Sequence, residues 1–390
     1  MKVLVVHNRY RSEQPSGENN VVDAEVALLT AGGVRVSRFE RRSDDIAPMS
    51  LPHKACVPLQ VPWNRSARAE LTTRLRVERP DVVHVHNTFP LLSPSVLAAC
   101  ADARVPVVAT LHNYGLVCPP GTLYRDGRIC TDCVSGAPVA AVRHGCYRGS
   151  AVATLPMAAN LVVNRARWRR DVTRFFCISA AQRQVLVAAG LPASKLTVKH
   201  NFVADPGVRR SGDGEHVLFL GRLTAEKGVP LLMAAWERVG GSLGLPLVIA
   251  GSGPLADEVS VWAGARRDVS YVGLQDKAAC RELTASAAAV VAPSAWLEAF
   301  GLVAVEAMAA GVPTVAPAHG AFPELVTDGV TGVLHEPGSA EALATALRAV
   351  VADRARNRAM GVAARDRYEA DFTPEVGLRR LIEGYEAAAA

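Results

Sequence analysis

Nine short, largely apolar runs punctuate this chain: Val3–Val6, Val82–Val85, Val107–Thr110, Phe175–Ile178, Val217–Leu220, Leu247–Ala250, Val269–Val272, Ala289–Ala292 and Pro313–Ala316. Segments of helical length, rich in alanine and arginine, separate them. A strand with no polar face is buried on both sides, and parallel sheets covered by helices on both faces provide that burial. The pattern therefore predicts an α/β fold of doubly wound parallel sheets. With roughly 150 residues per domain as a prior, 390 residues make two such domains. The boundary falls in the stretch 201–214, rich in Gly, Asp and Arg, after which a fresh strand begins at His216.

Composition narrows the class. The chain is 49% hydrophobic and 21% charged, which is globular and excludes collagenous, coiled-coil and wholly disordered chains. No apolar stretch reaches the roughly 20 residues of a membrane span. The first apolar run is too short for a signal peptide, so a cytoplasmic location is expected. Charge is divided unevenly: residues 1–205 hold 26 basic against 15 acidic side chains, a net +11, and residues 206–390 hold 17 against 22, a net −5.

Ligands of doubly wound sheets sit at the carboxyl ends of strands, where helix N-termini present unpaired N–H groups. The loop after Ala289–Ala292 leads into Glu298-Ala-Phe300-Gly301-Leu302-Val-Ala-Val-Glu306. A helix starting near Phe300 would aim the N–H groups around Gly301 and Leu302 at phosphate oxygens. Glu306 lies one turn beyond Leu302 on the same face, placed to accept two hydrogen bonds from a vicinal diol such as a ribose. Glu298 precedes the helix, where a second sugar would lie. The neighbours of Glu306 are all apolar, which points to a buried carboxylate needing a ligand. A second strand-end loop, Gly221-Arg222-Leu-Thr-Ala-Glu226-Lys227-Gly228, brings two cations suited to phosphate into an otherwise acidic half.

The order of Gly221-Arg222, Lys227-Gly228, Gly251-Ser252-Gly253-Pro254 and the glutamate pair resembles the retaining GT-B glycosyltransferases of family 4, over essentially the whole chain. The resemblance implies two Rossmann-like domains facing across a cleft. The acceptor side is 1–205 with a Cys-rich insert at 113–150, the nucleotide-sugar domain is 206–372, and a C-terminal helix, 373–390, packs back toward the first domain. It further implies that Glu306 holds ribose hydroxyls and Glu298 those of the donor sugar. Arg222 and Lys227 hold the diphosphate, and backbone near Gly273 meets the base. His112 matches the family's histidine near the reacting centre, and Gly17 matches the glycine loop that faces the diphosphate. Two segments depart from the pattern: Ser16-Gly17-Glu18 stands where Gly-Gly is usual, and His319-Gly320-Ala321 where Gly-Gly is common. Transfer would proceed with retention at the front face of the sugar, without a catalytic metal, because no Asp-x-Asp motif is present. The alternative is a nucleotide-sugar-binding protein of the same fold without transfer.

Cys118, Cys130, Cys133 and Cys146 have zinc-ribbon-like spacing and predict a structural zinc. Arg165, Arg167, Arg169 and Arg170 form either a face for an anionic acceptor or lipid headgroups at the inner membrane surface, or a solvated helix face with Trp168 packed inward. The basic charge is spread out and lacks an aromatic platform, which argues against nucleic acid. A dinucleotide oxidoreductase is disfavoured because Gly251-x-Gly253 does not extend to the full fingerprint.

Overall fold

A computed structural model describes residues 1–12 and 16–390. The chain divides into two units, the first comprising 1–123, 131–200 and 377–390, the second 124–130 and 201–376.

The first unit is built on a six-stranded parallel sheet. Its strands are β1 (Lys2–Arg9), β2 (Arg35–Arg42), β3 (Val82–Asn87) and β4 (Val107–Leu111). A small hairpin, β5 (Tyr124–Arg125) and β6 (Arg128–Ile129), intervenes before β7 (Arg174–Cys177) and β8 (Leu196–Val198). The sheet order is β2-β1-β3-β4-β7-β8. The core packs Val3, Val5 and Val82 against Val22, Val26 and Leu29 of the helix Gly17–Ala31, and against Leu381 and Tyr385 of the C-terminal helix Pro374–Ala389. The chain thus returns, after completing the second unit, to cover the first unit's sheet.

The second unit repeats the plan with β9 (His216–Leu220), β10 (Leu247–Ala250), β11 (Val269–Gly273), β12 (Ala287–Val291), β13 (Thr314–Pro317) and β14 (Gly332–His335), in the order β11-β10-β9-β12-β13-β14 and parallel throughout. Its core centres on the fully buried Trp236, whose indole N–H donates to Asp268 at 3.0 Å. Strands β2, β8 and β14 are not legible as apolar runs. Each lies at a sheet edge, where one flank meets solvent and a mixed sequence suffices, as Arg-Val-Ser-Arg-Phe-Glu-Arg-Arg in β2 shows.

In each sheet the winding direction reverses once. From β9 the chain steps outward to β10 and β11, then returns to lay β12 on the other side of β9. From β1 it goes to β2 and returns to lay β3 beside β1. The crevice beyond the carboxyl ends at such a reversal is where this architecture leaves room for a ligand.

Candidate functional site

At the reversal in the second unit, the loops after β9 and β12 meet backbone to backbone. Ala295 N–H donates to the Glu226 carbonyl at 2.9 Å. Gly228 has a left-handed φ of 78°, and a β-carbon there would stand 1.8 Å from the Pro293 carbonyl oxygen. Gly228 and Gly301 are the N-caps of the helices Val229–Val239 and Leu302–Ala309, both left-handed, and neither helix start is capped by a side chain. Three other helices of the unit are capped by side chains, those of Asp276, Ser339 and Asp353. Helix geometry leaves the opening N–H groups without intrahelical acceptors, so these two uncapped starts keep donors for a ligand.

Glu298 is buried and its Oε2 accepts three hydrogen bonds: from Lys227 Nζ at 2.8 Å, Trp296 Nε1 at 2.9 Å and Ser294 Oγ at 3.0 Å. Oε1 receives none of them. Burial by itself would raise this carboxyl, but the Lys227 charge and the three donors outweigh it and hold the group below its ordinary range. The Lys227 ammonium also lies 5.1 Å from the Trp296 ring centroid. It has three donors, so two remain after Glu298 takes one.

Glu306 differs from the sequence expectation. Ala304, Val305, Ala307, Met308 and Ala309 are buried, but Leu302 and Val303 are half-buried and Glu306 is exposed. The helix buries one face so completely that its polar residue is left on the other. The apolar neighbours are therefore evidence of a buried helix and not of a buried carboxylate. Protein atoms still surround Glu306 densely enough to raise its carboxyl, against the pull of Lys277 and Arg281. Water nonetheless reaches it, as accessible surface shows. Arg222 is exposed and pairs with no described residue. Phe300 is buried and meets Phe372 edge to face at 6.2 Å between centroids. Gly273 ends β11 with its carbonyl accepting from Gly251 N–H at 2.8 Å, and nothing lies within 4 Å of where its β-carbon would be. His319 donates from Nε2 to the Ser294 carbonyl, 2.9 Å away. Among the sequence-predicted residues, the fold thus gathers Arg222, Lys227, Glu298, Gly301, Leu302 and Glu306 into the loops and helix starts at one reversal.

In the first unit, Gly17 opens the helix Gly17–Ala31 and is exposed, beside the N-cap Ser16, whose side chain accepts from Asn19 N–H at 3.2 Å. The half-buried His112 follows β4, and its Nε2 lies 2.9 Å from His86 Nδ1.

The chain's residues 16–205 match the family described as Glycosyltransferase Family 4, and 205–367 match Glycosyl transferases group 1. Glycogen synthase of Mycobacterium tuberculosis is 34% identical over 317 residues, which cover 80% of this chain and 69% of that one. The chain belongs to the family 4 glycosyltransferases. An uncharacterized glycosyltransferase of Methanocaldococcus jannaschii is 35% identical over 158 residues, and the match spans only 40% of either chain. The Anabaena protein HepE, solved in complex with UDP-glucose, superposes with a TM-score of 0.68 at 19% identity, covering 99% of this chain and 100% of that one. That likeness establishes the GT-B fold.

The structure also places two further sequence features of this family 4 glycosyltransferase. Cys118, Cys130, Cys133 and Cys146 form no disulfide, and no three of them bring their sulfurs within 4.8 Å of one another among the described residues. Burial pushes the Cys118 thiol up to about 11. This arrangement gives a zinc site on the quartet no support. Each arginine of the basic helix has a protein partner: Arg165 donates to the Gly136 carbonyl at 2.8 Å, Arg169 to that of Ala189 at 3.1 Å, and Arg167 and Arg170 to Asp171 at 3.2 and 2.6 Å. Trp168 does turn toward Phe175, 6.4 Å between ring centroids.

Sequence reasoning passed over His84, His86, Glu25 and Lys199, all buried in the first unit. A signal was present: His84 and His86 alternate with valine in and just after the run that predicts β3, and a histidine has no place in a dry apolar strand unless something partners it.

Proposed function

We propose that this family 4 glycosyltransferase moves a sugar from a nucleoside-diphosphate sugar to an acceptor hydroxyl, with retention and without a catalytic metal. One observation carries the reading: Glu298 Oε2 is saturated by three donors while Oε1 is left over, beside a helix start that no side chain caps. A carboxylate held ionised and aimed in this way accepts from sugar hydroxyls. The uncapped helix start at Gly301 and Leu302, the exposed Arg222 and the two remaining donors of Lys227 hold the diphosphate. They stabilise the charge that grows on it as the glycosidic bond breaks. Glu306, one turn along the same face, takes the ribose, backbone near Gly273 meets the base, and Phe300 anchors the loop. In the first unit, His112 is assigned to the donor sugar and Gly17 to the diphosphate on the strength of the family pattern. The donor phosphate assists deprotonation of the acceptor in a front-face, oxocarbenium-like step.

HepE is solved with UDP-glucose, which makes that compound the first donor to test. The net +11 of residues 1–205 supports an anionic or lipid-linked acceptor met at the inner membrane surface from the cytoplasm. No helix among the described residues is long and apolar enough to cross a membrane.

Calorimetry with nucleoside diphosphate and with the intact nucleotide-sugar tests the assignment. Glu306→Ala is expected to weaken both ligands. Glu298→Ala is expected to spare the diphosphate and weaken the nucleotide-sugar. Equal losses of both ligands in both variants would overturn it. Tight donor binding with no transfer to any acceptor hydroxyl, water included, would favour the binding protein without transfer.

A further inference from the structure

The reversal between β1 and β3 in the first unit holds a cluster of ionisable side chains that the reaction above does not call on. His7 comes from β1, Glu18 and Glu25 from the helix Gly17–Ala31, His84 and His86 from β3, Lys199 from just beyond β8, and Tyr385 from the C-terminal helix. Glu25 and Lys199 form a buried ion pair, and the Lys199 ammonium also lies 5.8 Å from the Phe176 ring centroid. The second carboxylate oxygen of Glu25 is 3.8 Å from His86 Nε2 and 4.0 Å from His84 Nδ1, and neither that oxygen nor His86 Nε2 makes a hydrogen bond among the described residues. Across its ring, His86 Nδ1 meets His112 Nε2 at 2.9 Å, the rings stacked at 5.2 Å. His84 is satisfied at both nitrogens, by Tyr385 Oη and Thr110 Oγ1, each at 2.7 Å.

Glu25, His84 and His86 approach one another closely enough to hold a metal, within 4.8 Å. Two features speak for a different use. A lysine already neutralises the carboxylate, and both His84 nitrogens are committed to hydroxyls. What remains is a line of three groups ending at His112. A carboxylate facing His86 Nε2 favours a proton on that nitrogen, which leaves Nδ1 as an acceptor. Two imidazole nitrogens at hydrogen-bond distance share one proton, so His112 must supply it from Nε2.

We propose that Glu25, acting through His86, fixes His112 as its Nε2–H tautomer, so that His112 offers the bare Nδ1 to a hydroxyl of the donor sugar. Lys199 balances the charge of Glu25, and His86 and Glu25 are positioning residues. Burial above all keeps His112 neutral, with His7 and Lys199 adding to it; burial likewise lowers His84 and His86, and takes His7 to about 4. The consequence for transfer rests on the donor reading above, whereas the tautomer does not.

Nitrogen-15 NMR of histidine-labelled full-length protein, without donor, reads the tautomer directly. The expected result is His112 protonated at Nε2 and bare at Nδ1. Glu25→Gln should reverse the line. The amide oxygen must face Lys199, its N–H₂ then faces His86 Nε2, and His86 donates from Nδ1, leaving His112 protonated at Nδ1. His86→Asn keeps an acceptor where Nδ1 stands and should preserve the His112 tautomer, whereas His86→Leu should release it. In transfer assays, Glu25→Gln and His86→Leu should lower kcat about tenfold, the equivalent of one hydrogen bond, with nucleoside-diphosphate Kd unchanged and His86→Asn partly restored. An Nδ1–H tautomer in the wild type, or a folded Glu25→Gln or His86→Leu protein with His112 unaltered, would overturn the proposal. If Glu25→Gln does not fold, the wild-type tautomer and the His86 pair still decide. Failure to bind any nucleotide-sugar would sink the donor reading and leave the tautomer result standing.

Discussion

Lys227 Nζ lies 2.8 Å from Glu298 Oε2 across 71 residues of chain, so the loop after β9 supplies the counterion for a carboxylate held by the loop after β12. The Lys227 side chain is 25% exposed and that of Glu298 is 10% exposed, so the pair is neither a surface ornament nor fully sealed. Glu298→Gln keeps the shape and removes the charge. Its kcat/KM should fall about 10- to 100-fold, the range for a lost charged hydrogen bond. Steady-state kinetics at saturating acceptor check this.

The same pair makes stability depend on pH. The carboxyl of folded Glu298 sits below its ordinary value of 4.5, so its contribution is fully present above that value and is lost as pH falls through the lower, folded one. Melting curves of wild type and Glu298→Gln should therefore differ at neutral pH and converge in acid.

Glu18 has the opposite sign. Burial raises its carboxyl to about 8, against a hydrogen bond from Tyr10 Oη at 3.3 Å. A raised carboxyl stabilises the fold below the unfolded value and progressively less as pH climbs to the folded one. Glu18→Gln, which mimics the protonated form, should match wild-type Tm near pH 4.5, exceed it increasingly toward pH 8, and hold a constant lead beyond. A pH series of thermal melts decides it.

Arg222 and Gly228 separate binding from folding within one loop. Arg222 is exposed and unpaired, so Arg222→Ala should leave Tm unchanged and weaken nucleoside diphosphate by about 10- to 100-fold. Gly228→Ala drives a β-carbon to 1.8 Å from a backbone oxygen at a φ of 78°, and should cost about 2 kcal/mol or more of stability. Calorimetry and chemical denaturation read the two effects.

The arginines of the helix Ala151–Asp171 should act on stability and not on the acceptor. Asp171 anchors Arg167 and Arg170, while Arg165 and Arg169 bind main-chain carbonyls. Replacing all four should lower Tm and leave the salt dependence of acceptor KM as it was, measured between low and moderate NaCl.

What the sequence determined by itself is what burial on both faces leaves no freedom to vary. The central strands read as largely apolar runs because a polar residue without a partner does not fit there, and Arg222, Lys227, Glu298 and Gly301 were legible because they follow those strands at the ends where helix starts are exposed. Tertiary structure decided the remainder. The edge strands β2, β8 and β14 carry mixed sequences whose pairing depends on the neighbour already in place. The apolar run around Glu306 looked like a buried surrounding until packing showed which face of the helix the rest of the unit covers. The cysteine spacing matched a metal site in one dimension, but coordination is a condition on three-dimensional distances, which those loops do not meet. The line from Lys199 through Glu25 and His86 to His112 joins four separate elements. Each residue alone looks like an ordinary helix, strand or loop position, and only the fold brings their charges together.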